Sequence, residues 1–314
     1  MGHSFASAQF NLYDEYWWCK VTRDIIYSFH MPAFFVIAGF VYHPVSNYIG
    51  YIKKKIIRLC IPYFAVRIVS EFIANGFFRS REMRLSFWKD MFFYAGNGWF
   101  LYTMFFMLLF YPFADSILKN KRRFLIAACL SVLAAALQEV YRIPYLRIDR
   151  IAMYLPYFLI GRYVRKYEKQ NLLLGKKFIY SILFIGANAL LLCDSFPFLL
   201  CFVAKILAGI CGSYIMLGFA LCINRCTIGD LFAWLGENSL ALFLLPSYGI
   251  YAFLNFLLGI MQIRSSVLIV LFYCFGQIVC CSLIIFLFRK NKIACILLGI
   301  RYEGTLTLLK ERGQ

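Results

Sequence analysis

Three side chains in this chain can shuttle a proton near neutral pH: His3, His30 and His43. An imidazole titrates close to neutrality, so it can take the proton of a hydroxyl and pass it on. His30 is the most informative. It opens the apolar run Ser28-Phe29-His30-Met31-Pro32-Ala33-Phe34-Phe35-Val36-Ile37-Ala38-Gly39-Phe40. Hydrocarbon cannot satisfy ring nitrogens, and Pro32 leaves a carbonyl one turn earlier without its N–H donor. A helix carrying both residues faces a protein interior rather than lipid. His30 reads as a donor or base, or equally as a histidine bonded to a carbonyl freed near Pro32. His43 precedes Pro44 and reads as interfacial. On spacing alone, His3 reads as an incidental terminal residue.

The charged groups follow the same logic. Arg67 and Glu71 are four apart on one helix, where an ion pair lets both sit in a membrane. The pair reads as structural or as part of a substrate site. Lys205 lies inside another apolar segment and reads as a snorkelling lysine. Lys53, Lys54, Lys55 and Arg58 form a basic cluster suited to phosphate, or to setting membrane orientation. Glu237-Asn238-Ser239 carries cap-type residues at a helix entry. Tyr13, Asp14, Glu15, Tyr16, Trp17 and Trp18 could line a sugar site, although Trp and Tyr also mark interfacial belts.

The elements that position these groups are apolar. Hydrophobic residues make up 62% of the 314 and charged residues 15%, where soluble chains hold roughly 45–50% and about 25%. The chain reads as an integral membrane protein in a lipid bilayer. Its net charge of +18 is attributed to the positive-inside rule rather than to nucleic-acid binding. The 12 cysteines lack zinc-ligand spacing and read as small buried apolar residues, so no metal site is expected.

A spanning helix needs about 20 apolar residues. Nine segments are candidates, the fifth of them short: residues 25–42, 56–75, 98–114, 124–140, 151–163, 178–194, 198–222, 238–260 and 266–288. With the loop after the first of them cytoplasmic, about two-thirds of the 33 Lys and Arg fall on the cytoplasmic side. Residues 1–13 are too short and polar to span. They read as the outer half of a tenth, first helix whose inner half is missing, as after a late start assignment or a truncation. The expected fold is all-α: a polytopic bundle in a single domain over residues 1–314, with 289–314 as a cytoplasmic tail.

The run at 28–40 resembles the second-helix signature of the acyltransferase 3 family of membrane O-acyltransferases. Its nearest likeness is to the fucose 4-O-acetylase-related branch. Other matches come in the family's order. Gly2-His3-Ser4 resembles the Gly-His of its first helix. Lys53-Lys54-Lys55 through Arg58-Leu59-Cys60-Ile61-Pro62-Tyr63 resembles the basic entry to its third helix, and Trp99-Phe100-Leu101 the opening of its fourth. Gly161-Arg162-Tyr163 resembles the end of a later helix. Leu235-Gly236-Glu237-Asn238-Ser239-Leu240 resembles the entry to the penultimate one. Two departures stand out. The family's Arg upstream of the first-helix His would precede Met1, and Ala241 to Pro246 lacks the His often found after Ser-Leu.

The resemblance implies about ten transmembrane helices and transfer of an acyl group from acetyl-CoA to a hydroxyl of a cell-surface sugar or glycolipid. It makes His3 the expected catalytic base and His30 the second choice. It sets Lys53, Lys54, Lys55 and Arg58 as the candidate donor-binding cations, with acetyl-CoA a substrate and no permanent cofactor. Arg67, Glu71, Trp99, Glu237, Asn238 and Ser239 are the candidate acceptor-binding or intramembrane polar residues. The expected location is a bacterial inner membrane with the C-terminus cytoplasmic. A transporter or flippase for a lipid-linked glycan, or an inactive truncated relative, are the alternatives; no inverted repeat supports the transporter.

Overall fold

A computed structural model describes residues 16–75, 81–167, 177–193, 196–223, 229–263, 265–300 and 302. No strand occurs among them. The helices are α1 (Trp17–Phe40), α2 (Tyr48–Lys55), α3 (Ile61–Asn75), α4 (Arg81–Lys89), α5 (Trp99–Ile117), α6 (Lys121–Tyr141), α7 (Ile148–Lys166), α8 (Lys177–Leu192), α9 (Phe198–Ile223), α10 (Gly229–Glu237), α11 (Ser239–Leu244), α12 (Ile250–Met261), α13 (Ser266–Phe288) and α14 (Lys292–Leu298). Residues 1–13, the expected half-helix, lie outside the described residues.

All nine expected segments are helical over most of their length. Among the described residues, four helices are long and apolar enough to cross a membrane unbroken: Trp99–Ile117, Lys121–Tyr141, Phe198–Ala220 and Ser266–Phe288. The segment expected at 238–260 is bent between Ser239–Ser247 and Ile250–Met261. Pro246 sits in a 3₁₀ turn there, and Gly249 takes φ +101°, so two backbone specialists make the bend. Helix α1 carries Lys20, Arg23, Asp24 and His30, and α7 carries charges at both ends. Their length is sufficient but their composition is not uniformly apolar. The chain is a multi-pass, all-helical membrane protein.

The described helices fall into two compact units. Unit 2 (17–46 and 106–229) is built on close helix approach. Helix α1 packs against α7 and α9, α6 against α7, and α8 against α9. Where α1 meets α7, a Cβ on Gly39 would lie 2.0 Å from the Phe158 carbonyl oxygen, and one on Gly161 would lie 1.9 Å from that of Val36. Only glycine fits at either position. Lipid supplies no hydrophobic drive between helices, so such small-residue contacts hold them by dispersion. On α8 and α9, Ala187, Ala204 and Ala208 do the same under Phe184.

Arg162 locks this packing. Sequence reading gives it only an orienting role near a helix end. Its side chain is instead buried against Asp115, with Nη2 to Oδ2 at 3.3 Å. It also donates to the Tyr42 carbonyl at 3.2 Å and lies over the Tyr42 ring at 5.1 Å. The Tyr111 hydroxyl donates to Asp115, and Lys166 donates to the Leu118 carbonyl at 2.7 Å. One guanidinium thereby ties α5, α7 and the chain just past the end of α1.

Unit 1 (47–105 and 230 onward) centres on α3. Helix α14 and the Leu245–Tyr248 turn pack on it, and Ser70 donates to the Ser247 carbonyl at 2.9 Å. Residues 289–300, expected as tail, contain α14. Asn291 caps that helix by accepting from Ile293 and Ala294. Cys295 and Ile300 are buried. Tyr273 of α13 donates to Asn255 of α12.

Removing one partner of a buried ion pair costs about 3–5 kcal/mol. Arg162→Ala should therefore lower the thermal midpoint of the detergent-purified protein far more than Arg165→Ala. Gly161→Val should match it, because its side chain meets backbone and not a movable group. Wild-type midpoints in both variants would rule out the Arg162 lock and the glycine contact as determinants of the packing.

Candidate functional site

In unit 1 the basic cluster rides on a change of helix type. Asn47 caps α2 by accepting from the Gly50 N–H. The next five residues, Ile56–Cys60, form a π turn closed by the Ile61 N–H on the Ile56 carbonyl. One extra residue turns the following face by about 100°. Lys53, Lys54 and Arg58 are exposed and Lys55 is half-buried, its ammonium over the Tyr51 ring at 5.1 Å. Burial, and then the Arg58 charge, lower the Lys55 pKa from its ordinary value. The cluster presents cations outward, as a phosphate-binding surface must.

One turn beyond, Tyr63 and Arg67 share a face of α3. The chain returns over that face as a second π turn, Asp90–Tyr94, closed by the Ala95 N–H on the Asp90 carbonyl at 2.7 Å. The Tyr63 hydroxyl donates to the Met91 carbonyl at 2.6 Å, and Arg67 Nη2 donates to Asp90 Oδ2 at 2.5 Å. Phe87 lies under the guanidinium at 5.7 Å. Left-handed Ala95 (φ 57°) and Gly96 (φ 34°) then swing the chain into a 3₁₀ turn that starts α5. A Cβ on Gly98 would fall 2.3 Å from the Tyr63 ring, so the backbone lies flat on the tyrosine. Trp99, half-buried, is set by this clamp, and Tyr102 reaches back to the Phe92 carbonyl at 2.6 Å.

The expected Arg67–Glu71 ion pair is thus corrected. The carboxylate on Arg67 is Asp90, delivered by a returning chain rather than by the next turn of the same helix. Glu71 is half-buried on α3. Asp90 and Tyr63 are absent from the expected site, since no local spacing marks them. Asn238 is corrected as well. It is buried, makes no side-chain cap, and donates instead to the Trp234 carbonyl at 2.9 Å. Its backbone (φ −99°, ψ 11°) turns the side chain back along α10. Glu237 is exposed and Ser239 half-buried beside it.

Unit 2 holds the remaining candidates. His30 Nδ1 lies 2.9 Å from the Ile26 carbonyl oxygen, and its ring meets Tyr27 edge-on. A carbonyl can only accept, so Nδ1 carries the proton, and in a neutral ring Nε2 would be the accepting nitrogen. The bonded carbonyl is that of Ile26, not the Ser28 carbonyl that Pro32 leaves open. His43 donates to the Val41 carbonyl at 2.8 Å and is exposed. Lys205 pairs with Glu139, Nζ to Oε1 at 2.6 Å, so its charge is met by a carboxylate of α6. Tyr16 and Trp17 are exposed and Trp18 is half-buried. His3, Tyr13, Asp14 and Glu15 lie outside the described residues.

The Arg67 pairing can be measured. In a double-mutant cycle, Arg67→Ala and Asp90→Ala should couple by about 0.5–3 kcal/mol, toward the lower end because Asp90 is 39% exposed. Arg67→Ala and Glu71→Ala should add without coupling. The reverse pattern would restore the pairing along α3.

Residues 1–286 match the family model described as an acyltransferase domain. No curated protein matches the chain, and no solved structure does. The matched range takes in the second-helix word, the basic entry to α3, the Trp99 corner and the Asn238 turn. The chain belongs to the acyltransferase 3 family and carries a membrane acyltransferase domain.

Proposed function

We propose that this protein is an O-acetyltransferase that moves an acetyl group from acetyl-CoA to a hydroxyl of a cell-surface sugar, polysaccharide or glycolipid. The family match over residues 1–286 carries the reading. The outward-facing cations of the α2–α3 entry support the choice of donor, because a CoA ester presents several phosphates. In this reading Lys53, Lys54, Lys55 and Arg58 hold those phosphates. A histidine takes the proton of the acceptor hydroxyl as its oxygen attacks the thioester carbonyl. The C–S bond breaks, and the CoA sulfur leaves with a proton. His3 is the first choice for that base by family resemblance. His30 is the second, since its Nδ1–H is engaged by the Ile26 carbonyl and a neutral ring would then offer Nε2 as the base. Trp99 and the Arg67 clamp shape the polar interior of unit 1. The setting is a bacterial inner membrane, with nine spans among residues 25–288 and the C-terminus in the cytoplasm.

Purified protein in nanodiscs should release free CoA thiol from acetyl-CoA. Replacing Lys53, Lys54, Lys55 and Arg58 together with alanine should raise KM for acetyl-CoA about tenfold or more and change kcat little. His3→Ala should lower kcat by about 10²–10⁴-fold, and His30→Ala by less. Full transfer in both histidine variants would remove the base assignment. Absence of any thiol release by wild-type protein would favour the glycan transporter reading.

A further inference from the structure

We propose that the α6–α7 corner of unit 2 is a binding site for a neutral sugar, the acceptor end of the reaction if the acyltransferase reading above holds. The corner is strained. Arg142 (φ 43°), Leu146 (φ 52°) and Arg147 (φ 53°) are all left-handed non-glycine residues, each a cost that the surroundings must hold in place. The strain presents Asp149 between two arginines. Its Oδ2 lies 3.8 Å from Arg147 Nη1 and 3.5 Å from Arg150 Nε. Its Oδ1 is buried and has no hydrogen-bond partner among the described residues. An acceptor left so is unfavourable, and a donor brought by a ligand would satisfy it.

The neighbours define what that ligand is. Tyr154 stands one turn along α7 from Arg150, and the charges of Arg150, Asp149 and Glu139 all act on its hydroxyl. The Tyr154 ring is stacked on Phe35 at 4.6 Å, which fixes the hydroxyl's position. Glu139 in turn holds Lys205, whose side chain is 53% exposed. Asp149, Arg147, Arg150 and Tyr154 on and before α7 thus neighbour the Glu139–Lys205 pair of α6 and α9. A simple cation would meet Arg147, Arg150 and Lys205. A simple anion would compete with Asp149 and Glu139 and leave Oδ1 unfilled. Sugar hydroxyls satisfy both sets, because each donates to a carboxylate and accepts from a guanidinium or ammonium.

The test is direct binding to the full-length protein in detergent, without acetyl-CoA. Saturation-transfer NMR would use D-glucose, D-galactose, L-fucose and N-acetyl-D-glucosamine as probes. At least one should bind wild-type protein. Asp149→Asn should weaken that binding at least about tenfold, and Glu139→Gln and Tyr154→Phe by smaller factors, at wild-type melting midpoints. Should Asp149→Asn fail to fold, the other two variants carry the test, since both keep the shape of the side chain. No binding of any probe to wild-type protein overturns the proposal, and so does wild-type binding in the folded variants. Thiol release from acetyl-CoA by the same wild-type preparation separates the two ideas. Release without sugar binding removes this site alone. Sugar binding that depends on these residues, without release, keeps the site and removes the acetyltransfer reading.

Discussion

A charge inside a membrane protein must find its counter-charge within the chain, because hydrocarbon offers neither water nor ions. Among the described residues, three of the ion pairs tie segments distant in sequence: Arg162 with Asp115, Arg67 with Asp90, and Lys205 with Glu139. The first is the most buried and does most to fix its unit. It holds the end of α7 to the end of α5 while satisfying a carbonyl that the end of α1 leaves open. Each pair costs desolvation, so its value lies less in stability than in specifying one arrangement among many apolar ones.

Close helix approach supplies the second constraint. Gly39 and Gly161 let two backbones meet where any side chain would collide with a carbonyl. Gly209 and Gly212 receive the Tyr157 and Phe29 side chains in the same unit. Dispersion between surfaces this close replaces the hydrophobic drive that lipid cannot give. The polar residues of unit 2 are therefore mounted on helices whose spacing is fixed by backbone contact.

Unit 1 positions its groups differently, by departures from regular helix. Two π turns, one before α3 and one before α5, re-aim the helices that come after them. The second delivers Asp90 to Arg67 and brings Met91 under Tyr63. Ala95 and Gly96 then reverse the chain into Trp99. The family words in this unit, the basic entry and the Trp99 corner, both sit at these irregular points. Irregular backbone and family likeness coincide there.

The residue types alone determined the membrane setting, the all-helical class, the positions of the nine helical segments and the family. Those come from hydropathy over about 20 residues and from a distinctive word at 28–40. Spacing along one helix also marks Arg67 as a residue in need of a partner. It cannot find the partner. Asp90 lies on a chain that returns through a π turn, and neither π turns nor left-handed Ala95 leave a pattern in hydropathy. Asn238 has the type of a cap, but whether the cap forms depends on φ and ψ, which the turn into α11 sets. Arg162 and Lys205 read as an orienting and a snorkelling charge because Asp115 and Glu139 belong to other helices. Charge pairing across helices is a property of tertiary packing, and only that packing decided which polar residues meet.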